Sequence, residues 1–333
     1  MKDVATQCGV SESTVSHVLN HTKFVAPETR SRVEQALKEM NFHRDSHARR
    51  LARGHSDFLG LVISDIENPF YPGLIKSFEN AAVEHGYEIL LCTTNYDPSR
   101  TDQAFRRMIE NKSPGVAVLT SRVDPRTAIH LADHGIASVF LDSGAPGRLR
   151  GTIRVDFAKG ALAAVHHLYH LGHRRFALIA GPQQRASHVA YRKAVVAALK
   201  SLKLKPHLIE GNNDAAGGTA AVQALLASPH LPTAILCSND VTAMGAIRAL
   251  FQAGLRVPQD VSVVGADNIP FAALTQPPLT TVRIPRERLG SLACEMLKEM
   301  IEKPNVKGRE AILETELIIR ESTAAAGVPG GSA

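Results

Sequence analysis

The sequence predicts a small all-α headpiece followed by a larger, two-lobed α/β domain with two parallel sheets. Apolar residues before residue 43 recur at helical spacing. Residues 44–56 are polar and basic, which is typical of a linker. From Phe58 onward short apolar runs alternate with amphipathic stretches, and about nine or ten such units are too many for one sheet. We therefore predict two similar lobes.

Three short helices are predicted in the N-terminal segment. Residues 2–8 form the first helix, which ends at Gly9. Ser11 caps the second helix, Glu12–Leu19, and the third helix follows Pro27, which suits a first helical position. Apolar residues on the second and third helices close a small predicted core, which consists of Val15, Val18, Leu19, Val33, Ala36, Leu37 and Met40.

The remainder alternates predicted strands and helices. The strands are Leu59–Ile63, Ile89–Thr93, Gly115–Leu119, Ala137–Leu141, Ile153–Val155, Phe176–Ala180, His207–Glu210, Ala234–Cys237, Val261–Gly265 and Ala311–Ile319. The helices are Leu74–His85, Thr101–Asn111, Arg126–His134, Lys159–Leu171, Val189–Leu202, Gly217–Ala227, Val241–Ala253 and Arg286–Glu302. This alternation places helices on both faces of each sheet. Residues 323–333 are mostly small residues, Gly and Pro, and we expect a disordered tail.

Charge and cysteine usage narrow the class of protein. The chain has a formal net charge of +6, and residues 1–56 contain nine Lys or Arg against six Asp or Glu, which favours an anionic partner there. The cysteines form no C-x-x-C pair, so neither a disulfide framework nor a zinc site is indicated. Because we find no apolar leader and no run long enough to span a bilayer, we expect a soluble, cytoplasmic protein without a membrane partner.

Residues 4–20 read VATQCGVSESTVSHVLN, an ordered motif that resembles the helix-turn-helix of the LacI/GalR family. Further stretches that resemble family members are Val25–Arg30, Ala48–Leu51, Asp65–Phe70, Leu171–Arg175, Ile179–Pro182, Leu255–Ser262, Val264–Asn268 and Pro278–Val282. The resemblance covers residues 2 to about 322 and implies that the two lobes form a periplasmic-binding-protein-like sensor.

The resemblance implies a transcriptional repressor, not an enzyme, that binds near-palindromic operator DNA as a homodimer. A sugar-like or related small-molecule effector between the lobes controls the operator affinity, and no cofactor or metal is expected. The implied domains are a headpiece (1–43), a hinge (44–56) and an effector-binding and dimerisation domain (57–322). Its first lobe holds about 57–155 and 286–313, and its second lobe holds about 156–285 and 314–322.

The resemblance assigns the DNA contacts to the polar face of the second helix. The base-reading positions are Glu12, Ser13 and His17, and the positions for phosphate or capping contacts are Thr14, Ser16 and Asn20. Arginine is common in the family where this chain has His17, and it gives guanine two hydrogen bonds where histidine gives one. The alternatives are a merely solvated Glu12 and, for the whole motif, a helical hairpin that binds a protein.

The hinge resembles the family's minor-groove helix through Ala48, Arg49 and Leu51. Leu51 matches the leucine that wedges between base pairs. We expect the hinge to fold only on DNA, because it has little apolar surface of its own. The alternative is that Leu51 is an isolated apolar residue in a linker.

Residues that follow predicted strands are the candidate effector contacts, because parallel sheets bind ligands beyond the carboxyl ends of their strands. By position these are Phe70, Tyr71, Asp142, Asn239 and Asp267, and by resemblance Arg185, Asn213, Asn239 and Asp267 line the second-lobe side. Carboxylates, amides and an arginine in one cleft suit a hydroxyl-rich ligand. Alternatively, Asp142 and Asp240 simply cap the helices that follow them.

The segment after Gly181 and Pro182 departs from the family. Many members carry A-R-E-R-x-x-G-F there, whereas residues 188–195 of this chain read HVAYRKAV. Both usual arginines are replaced, and the nearest substitutes are Arg185 and Arg192. The family's sugar pocket is therefore not expected to carry over unchanged.

Two rival classes are weaker. We find no G-x-S-x-G, no G-x-x-x-x-G-K-[ST] and no G-x-G-x-x-G after the first strand to indicate an enzyme. His166 and His170 have metal-ligand spacing on a helix but lack the H-E-x-x-H arrangement. A periplasmic sugar-binding protein needs a signal peptide and leaves residues 1–56 unexplained.

Overall fold

The computed structural model describes residues 1–20, 23–40, 56–120 and 125–327, which belong to two compact units, Met1–Gly54 and His55–Ala333. The helices are α1 (Lys2–Cys8), α2 (Glu12–Asn20), α3 (Pro27–Glu39), α4 (Tyr71–Glu84), α5 (Pro98–Glu110), α6 (Pro125–Asp133), α7 (Phe157–His170), α8 (Ala186–Ser201), α9 (Ala215–Leu226), α10 (Asp240–Gln252) and α11 (Arg286–Glu302). The strands are β1 (Phe58–Ile63), β2 (Glu88–Thr93), β3 (Gly115–Leu119), β4 (Ala137–Leu141), β5 (Arg150–Asp156), β6 (Phe176–Ala180), β7 (Pro206–Glu210), β8 (Ala234–Cys237), β9 (Ser262–Asp267), β10 (Thr280–Arg283), β11 (Glu310–Glu314) and β12 (Glu316–Ile318). None of the helices described is long and apolar enough to cross a membrane.

The headpiece is a three-helix unit, as predicted. Gly9 ends α1 in the left-handed conformation (φ 60°, ψ 37°), and the Ser11 hydroxyl accepts a hydrogen bond from the Thr14 N–H (3.1 Å) at the start of α2. Its buried core is Val4, Ala5, Cys8, Val15, Val18, Val33 and Ala36. Met40, expected in that core, is 39% exposed because α3 ends at Glu39.

The first lobe of the second unit is a parallel sheet in the order β11-β5-β4-β3-β1-β2. Helices cover both faces, as the unbroken apolar runs predict. In β1, Leu59 and Leu61 point to the face covered by α4 and α11, and Val62 points to the face covered by α5 and α6. β3 is buried along its whole length, so it forms the centre of this core.

The second lobe repeats this arrangement in the order β12-β10-β9-β8-β6-β7. Its strand pairs are parallel except β10–β12, which is antiparallel. Helices α7 and α8 cover one face, and α9 and α10 cover the other. The two-lobed α/β prediction therefore agrees with the structure.

Three chain crossings join the two lobes: β5 to α7, β10 to α11, and β11 to β12. Thr315, buried between β11 and β12, ties two of the crossings together. Its hydroxyl donates to the Asp156 carbonyl (2.8 Å) and accepts from the Gly160 N–H (3.1 Å). Two of the three crossings are therefore joined to each other where the lobes meet.

The structure corrects four sequence expectations. The predicted strand Ala311–Ile319 is two strands, one in each sheet, and β10 was not predicted. Ser56, placed in the hinge, is buried in the second unit, where its N–H donates to the Lys112 carbonyl (2.9 Å). The expected disorder of residues 323–327 is wrong, because the Ala324 N–H donates to the Ser262 hydroxyl (3.1 Å). Residues 328–333 lie outside the described residues.

Candidate functional site

The predicted recognition helix, α2, presents its polar residues away from the headpiece core. Val15 and Val18 are buried, whereas Glu12 and Ser13 are exposed and the residues Thr14, Ser16 and His17 are half-buried. The Ser11 hydroxyl lies 2.9 Å from that of Thr14, which therefore takes part in the helix cap. Of the remaining DNA-contact candidates, the side chain of Asn20 and the residues Ala48, Arg49 and Leu51 lie outside the described residues.

The second unit contains a cavity of about 110 Å³ between its lobes, at the carboxyl ends of both sheets. Ser64 follows β1, Thr120 follows β3, Asp142 follows β4 and Ser238 follows β8. The cavity lining includes every one of the seven predicted effector contacts, which are Phe70, Tyr71, Asp142, Arg185, Asn213, Asn239 and Asp267. The fold therefore brings together the residues that strand position predicted and those, Arg185 and Asn213, that the family resemblance implied.

Aromatic rings make up much of the cavity wall. Phe70 and Tyr71 meet edge to face with ring centroids 5.4 Å apart, and Phe70 packs against the cores of both lobes. Phe157 and Tyr191 form a second edge-to-face pair at 5.9 Å. The Arg185 guanidinium lies 3.4 Å above the Tyr96 ring, so its charge is held by a cation–π contact.

Sequence reasoning missed several lining residues. Tyr96 follows β2 by three residues, so the strand-end rule was sufficient to find it. His188 and Tyr191 lie in the first turns of α8 and were noted only as a departure from the family. Arg192, proposed there as a substitute arginine, is not in the cavity lining but lies 3.6 Å from Glu210, so that suggestion is wrong.

Three buried side-chain atoms around the cavity have no hydrogen-bond partner among the residues that the structure describes: Asp142 Oδ2, His188 Nδ1 and the Tyr191 hydroxyl. Such atoms are costly to bury without a partner, typically about 1–3 kcal/mol each. Burial lowers the pKa of His188 to about 4, so this ring is neutral at pH 7. Burial also raises the pKa of Asp142, whose other oxygen accepts from the Val155 N–H (2.9 Å).

Three of the predicted effector contacts have an unusual backbone conformation. Asp142, Asn213 and Asp267 have positive φ values of 49°, 70° and 103°. Side chains other than glycine rarely adopt this region, and strained positions of this kind cluster at functional sites. The strain therefore supports the assignment of these three residues to a binding site.

Amide side chains organise the second-lobe rim. The Asn239 side-chain oxygen accepts from the Thr242 N–H (2.8 Å) and caps α10, while its amide nitrogen donates to the Asn213 carbonyl (3.1 Å). The Ser238 hydroxyl donates to the Asn213 side-chain oxygen (3.2 Å). Since Asn239 is the cap of α10, the alternative that Asp240 caps this helix is wrong. Asp142 does not cap a helix either, since its carboxylate binds the N–H of Val155 in β5.

Asp240 lies buried behind the cavity. Its two carboxylate oxygens accept from the Thr281 hydroxyl (2.5 Å) and the Ile269 N–H (2.8 Å). Burial raises the pKa of Asp240 from 3.8 to about 7, and the hydrogen bond from Thr281 opposes this shift. Burial also raises the pKa of Asp267, with a further contribution from the charge of Asp240. The two carboxylates therefore disfavour one another's ionisation.

Asp240→Asn is expected to flatten the pH dependence of stability. Because the folded pKa is raised, Asp240 contributes stability that is present below about pH 4 and is lost as the pH rises through about 7. Asparagine stays neutral and still offers an acceptor to the Ile269 N–H. Urea unfolding of both proteins from pH 4.5 to 8 checks this, and parallel stability curves would contradict it. His173 and His188 are buried and have lowered pKa values, so their contribution to stability increases with pH. Both the unchanged protein and the variant contain these histidines, so their contribution cancels when the two stability curves are subtracted.

His166 and His170, considered as metal ligands, lie one turn apart on α7 with ring centroids 6.1 Å apart. Within the described ranges no group of three or more His, Cys, Asp or Glu side chains is placed to hold a metal ion.

Comparison with known proteins agrees with both units. A family model described as bacterial regulatory proteins, lacI family, matches residues 1–45, and a periplasmic binding protein-like domain matches residues 165–323. The chain is 34% identical over 336 residues to the HTH-type transcriptional repressor PurR of Edwardsiella ictaluri, covering 97% of this chain and 96% of that protein. It is 33% identical over 326 residues to the ribose operon repressor of Escherichia coli, covering 97% and 99%.

Solved structures give the same result. The Lac repressor dimer bound to operator and the anti-inducer ONPF has a TM-score of 0.88 at 28% identity, covering 97% of this chain and 98% of that one. The complex of the transcriptional regulator CelR with cellobiose has a TM-score of 0.73 at 28% identity, covering 96% and 98%. The chain therefore belongs to the LacI family of bacterial regulatory proteins, and it is a DNA-binding transcriptional repressor under the control of a small ligand.

Proposed function

We propose that this repressor binds its effector in the inter-lobe cavity and that the effector is small, uncharged and rich in hydrogen-bond donors. The observation that carries the proposal is the set of partnerless buried atoms at Asp142, His188 and Tyr191, which surround one cavity. A ligand that supplies the missing hydrogen bonds binds well, and a ligand that leaves them unmade is rejected.

The charges of the cavity favour a neutral ligand over a phosphorylated one. Burial raises the pKa of the Asp142 and Asp267 carboxyl groups and keeps His188 neutral, so these three side chains offer a phosphate no positive charge. The cation in the lining, Arg185, already lies over the Tyr96 ring. A phosphate offers only acceptors, so it matches few of these groups.

Cavity size limits the ligand further. The cavity volume of about 110 Å³ lies below the roughly 300–1,000 Å³ of pockets that hold drug-sized ligands. We therefore propose a monosaccharide or a single heterocyclic base, with one face against an aromatic ring such as Tyr71. Related structures hold cellobiose and ribose. Of these two, ribose is the closer match in size.

Effector binding is proposed to change the angle between the lobes about the three chain crossings, two of which are joined at Thr315. In a homodimer, this motion brings the two hinge segments together or apart and so alters operator affinity, with a coupling of about 1–3 kcal/mol. We further propose that Ala48, Arg49 and Leu51 contact the minor groove, and that the protein acts in the cytoplasm at operator sites without catalytic activity.

Selection of double-stranded DNA from a random pool by the full chain tests the DNA half of this proposal. We expect a near-palindromic sequence to be enriched, because a twofold-symmetric dimer reads two half-sites. The triple variant Glu12→Ala, Ser13→Ala, His17→Ala should enrich no such sequence. Equal enrichment by the variant, or a site without symmetry, would contradict the proposal.

His17→Arg should redirect base preference at one position of each half-site. Arginine forms two hydrogen bonds with guanine, and a good bidentate pair discriminates by about 1–3 kcal/mol. We therefore expect the variant to prefer guanine there by roughly 5- to 150-fold more than the unchanged protein. Binding to half-sites that differ only at that base measures the effect, and an unchanged preference would remove His17 from the base-reading set.

Tyr191→Phe should have opposite effects on the free protein and on ligand binding. It removes a buried hydroxyl that has no partner, so the free protein is expected to gain up to about 1 kcal/mol of stability. The effector loses a hydrogen bond, so its affinity should fall about 10-fold. Melting temperatures with and without ligand measure both, and Tyr87→Phe, outside the cavity lining, is the control. A less stable free protein would show that the hydroxyl is already satisfied.

A further inference from the structure

The second lobe carries a groove of about 680 Å³ between α8 and the segment 203–208 that the effector proposal does not use. We call it the basic groove. Its cations are Arg192, Lys193, Lys200, Lys203 and Lys205. Between them lies an apolar floor made by Val196, Ala197, Leu204 and Leu208. Val196 is 37% exposed, so the floor is open to a partner.

The cations of the basic groove are poorly neutralised by the chain itself. Arg192 lies 3.6 Å from Glu210. No ion pair within the described ranges joins the four lysines to a carboxylate. Like charges in close proximity repel, and an acidic partner relieves this repulsion.

The floor distinguishes a protein partner from a nucleic acid. The described residues that line the groove include no aromatic ring on which a base stacks, and Arg192 among them lies near Glu210. An apolar floor gains free energy only when it is covered by apolar groups, which a phosphate backbone does not provide. We propose that the basic groove binds an acidic amphipathic helix of another protein.

The spacing of the groove residues fits such a helix. Lys193 and Lys200 are seven residues apart on α8, so they lie on one face about 10 Å apart, with Val196 between them. A helix of about three turns, with leucines on one side and glutamates beside them, covers the floor and reaches both lysines. The same α8 places His188 and Tyr191 in the effector cavity, so a bound partner acts on the helix that holds the effector.

Fluorescence anisotropy with the full chain tests the proposal. The probe is a labelled synthetic helix of about 18 residues with leucines at i, i+3, i+4 and i+7 spacing and glutamates on both flanks. Its control is a peptide of the same composition in scrambled order. The protein variants are Lys193→Glu with Lys200→Glu, the floor variant Val196→Ser, and the matched control Lys303→Glu with Lys307→Glu on a different surface.

We expect the amphipathic peptide to bind with a Kd below about 1 mM. Charge reversal in the groove should weaken it at least about 10-fold, and Val196→Ser about 3-fold, while the control pair should leave it unchanged. No binding, or equal binding of the scrambled peptide, would overturn the proposal. Binding of single-stranded oligothymidylate that is lost on charge reversal, without peptide binding, would assign the groove to nucleic acid and overturn it as well.

Discussion

Gly245→Ala is expected to destabilise the second lobe severely. Helices α9 and α10 cross so closely that a Cβ atom at Gly245 lies 2.0 Å from the Ala215 carbonyl oxygen, and one at Gly218 lies 2.1 Å from that of Thr242. Both opposing atoms are backbone, so no change of rotamer relieves the clash. Forcing extra volume into a packed core costs about 1–3 kcal/mol and occasionally more. We expect the upper end of that range.

Thermal unfolding of the variant measures this effect. For a folded unit of this size we expect the Tm to fall by about 6–12 °C, since about 2–4 °C corresponds to each kcal/mol. Gly147→Ala is the matched control, because its Cβ meets only the flexible Arg150 side chain at 3.5 Å. Equal melting of the two variants would mean that α9 and α10 are not in such close contact. The outcome bears on function because Asn239, at the start of α10, lines the effector cavity.

Asp267→Asn should have the largest effect on effector binding. Asparagine tolerates a positive φ, so it retains the strained backbone at φ 103° and changes only the carboxylate. A buried hydrogen bond whose partner is removed costs about 1–3 kcal/mol, which corresponds to roughly a 5- to 150-fold loss of affinity. The free protein should become more stable at pH 7, because the raised pKa of Asp267 shows that its ionised form is disfavoured.

Ligand-induced shifts in melting temperature and the stability of the free protein measure the two effects together. Asp133→Asn is the control, since Asp133 is exposed and does not line the cavity. A variant that loses both stability and binding would show that Asp267 supports the fold instead of serving the ligand.

The ends of several strands could be predicted from the sequence, and the site was predicted from the residues that follow them. β3, β4, β6 and β8 have the predicted bounds, because buried parallel strands are short continuous apolar runs. Asp142, which follows β4, was found for this reason. The start of α8 was placed three residues late, because Arg185 at its N-terminus provides no side-chain cap to mark the boundary. His188 and Tyr191 were therefore not placed among the effector contacts.

Other misses depend on tertiary contacts that no local pattern contains. The strand predicted over residues 311–319 is a continuous β-type run, and its division at Thr315 follows from hydrogen bonds to Asp156 and Gly160, which lie far away in the chain. Residues 323–327 are ordered for a similar reason, namely hydrogen bonds to distant parts of the chain. Their small side chains have little core of their own, but their backbone binds Ser262 and Leu171. Composition alone favoured disorder there.

The central claim is that the cavity binds a neutral, donor-rich ligand. Thermal melting of the full chain against pairs of compounds, each a neutral sugar or base and its phosphorylated form, tests it most directly. A ligand at 100 times its Kd stabilises the folded state by about 2.7 kcal/mol, which gives a clear shift. We predict that a neutral compound raises the Tm, that its phosphorylated form does not, and that Asp267→Asn and Tyr191→Phe reduce the shift. A phosphorylated compound that raises the Tm more than its neutral partner, or a shift that both variants retain in full, would contradict the account.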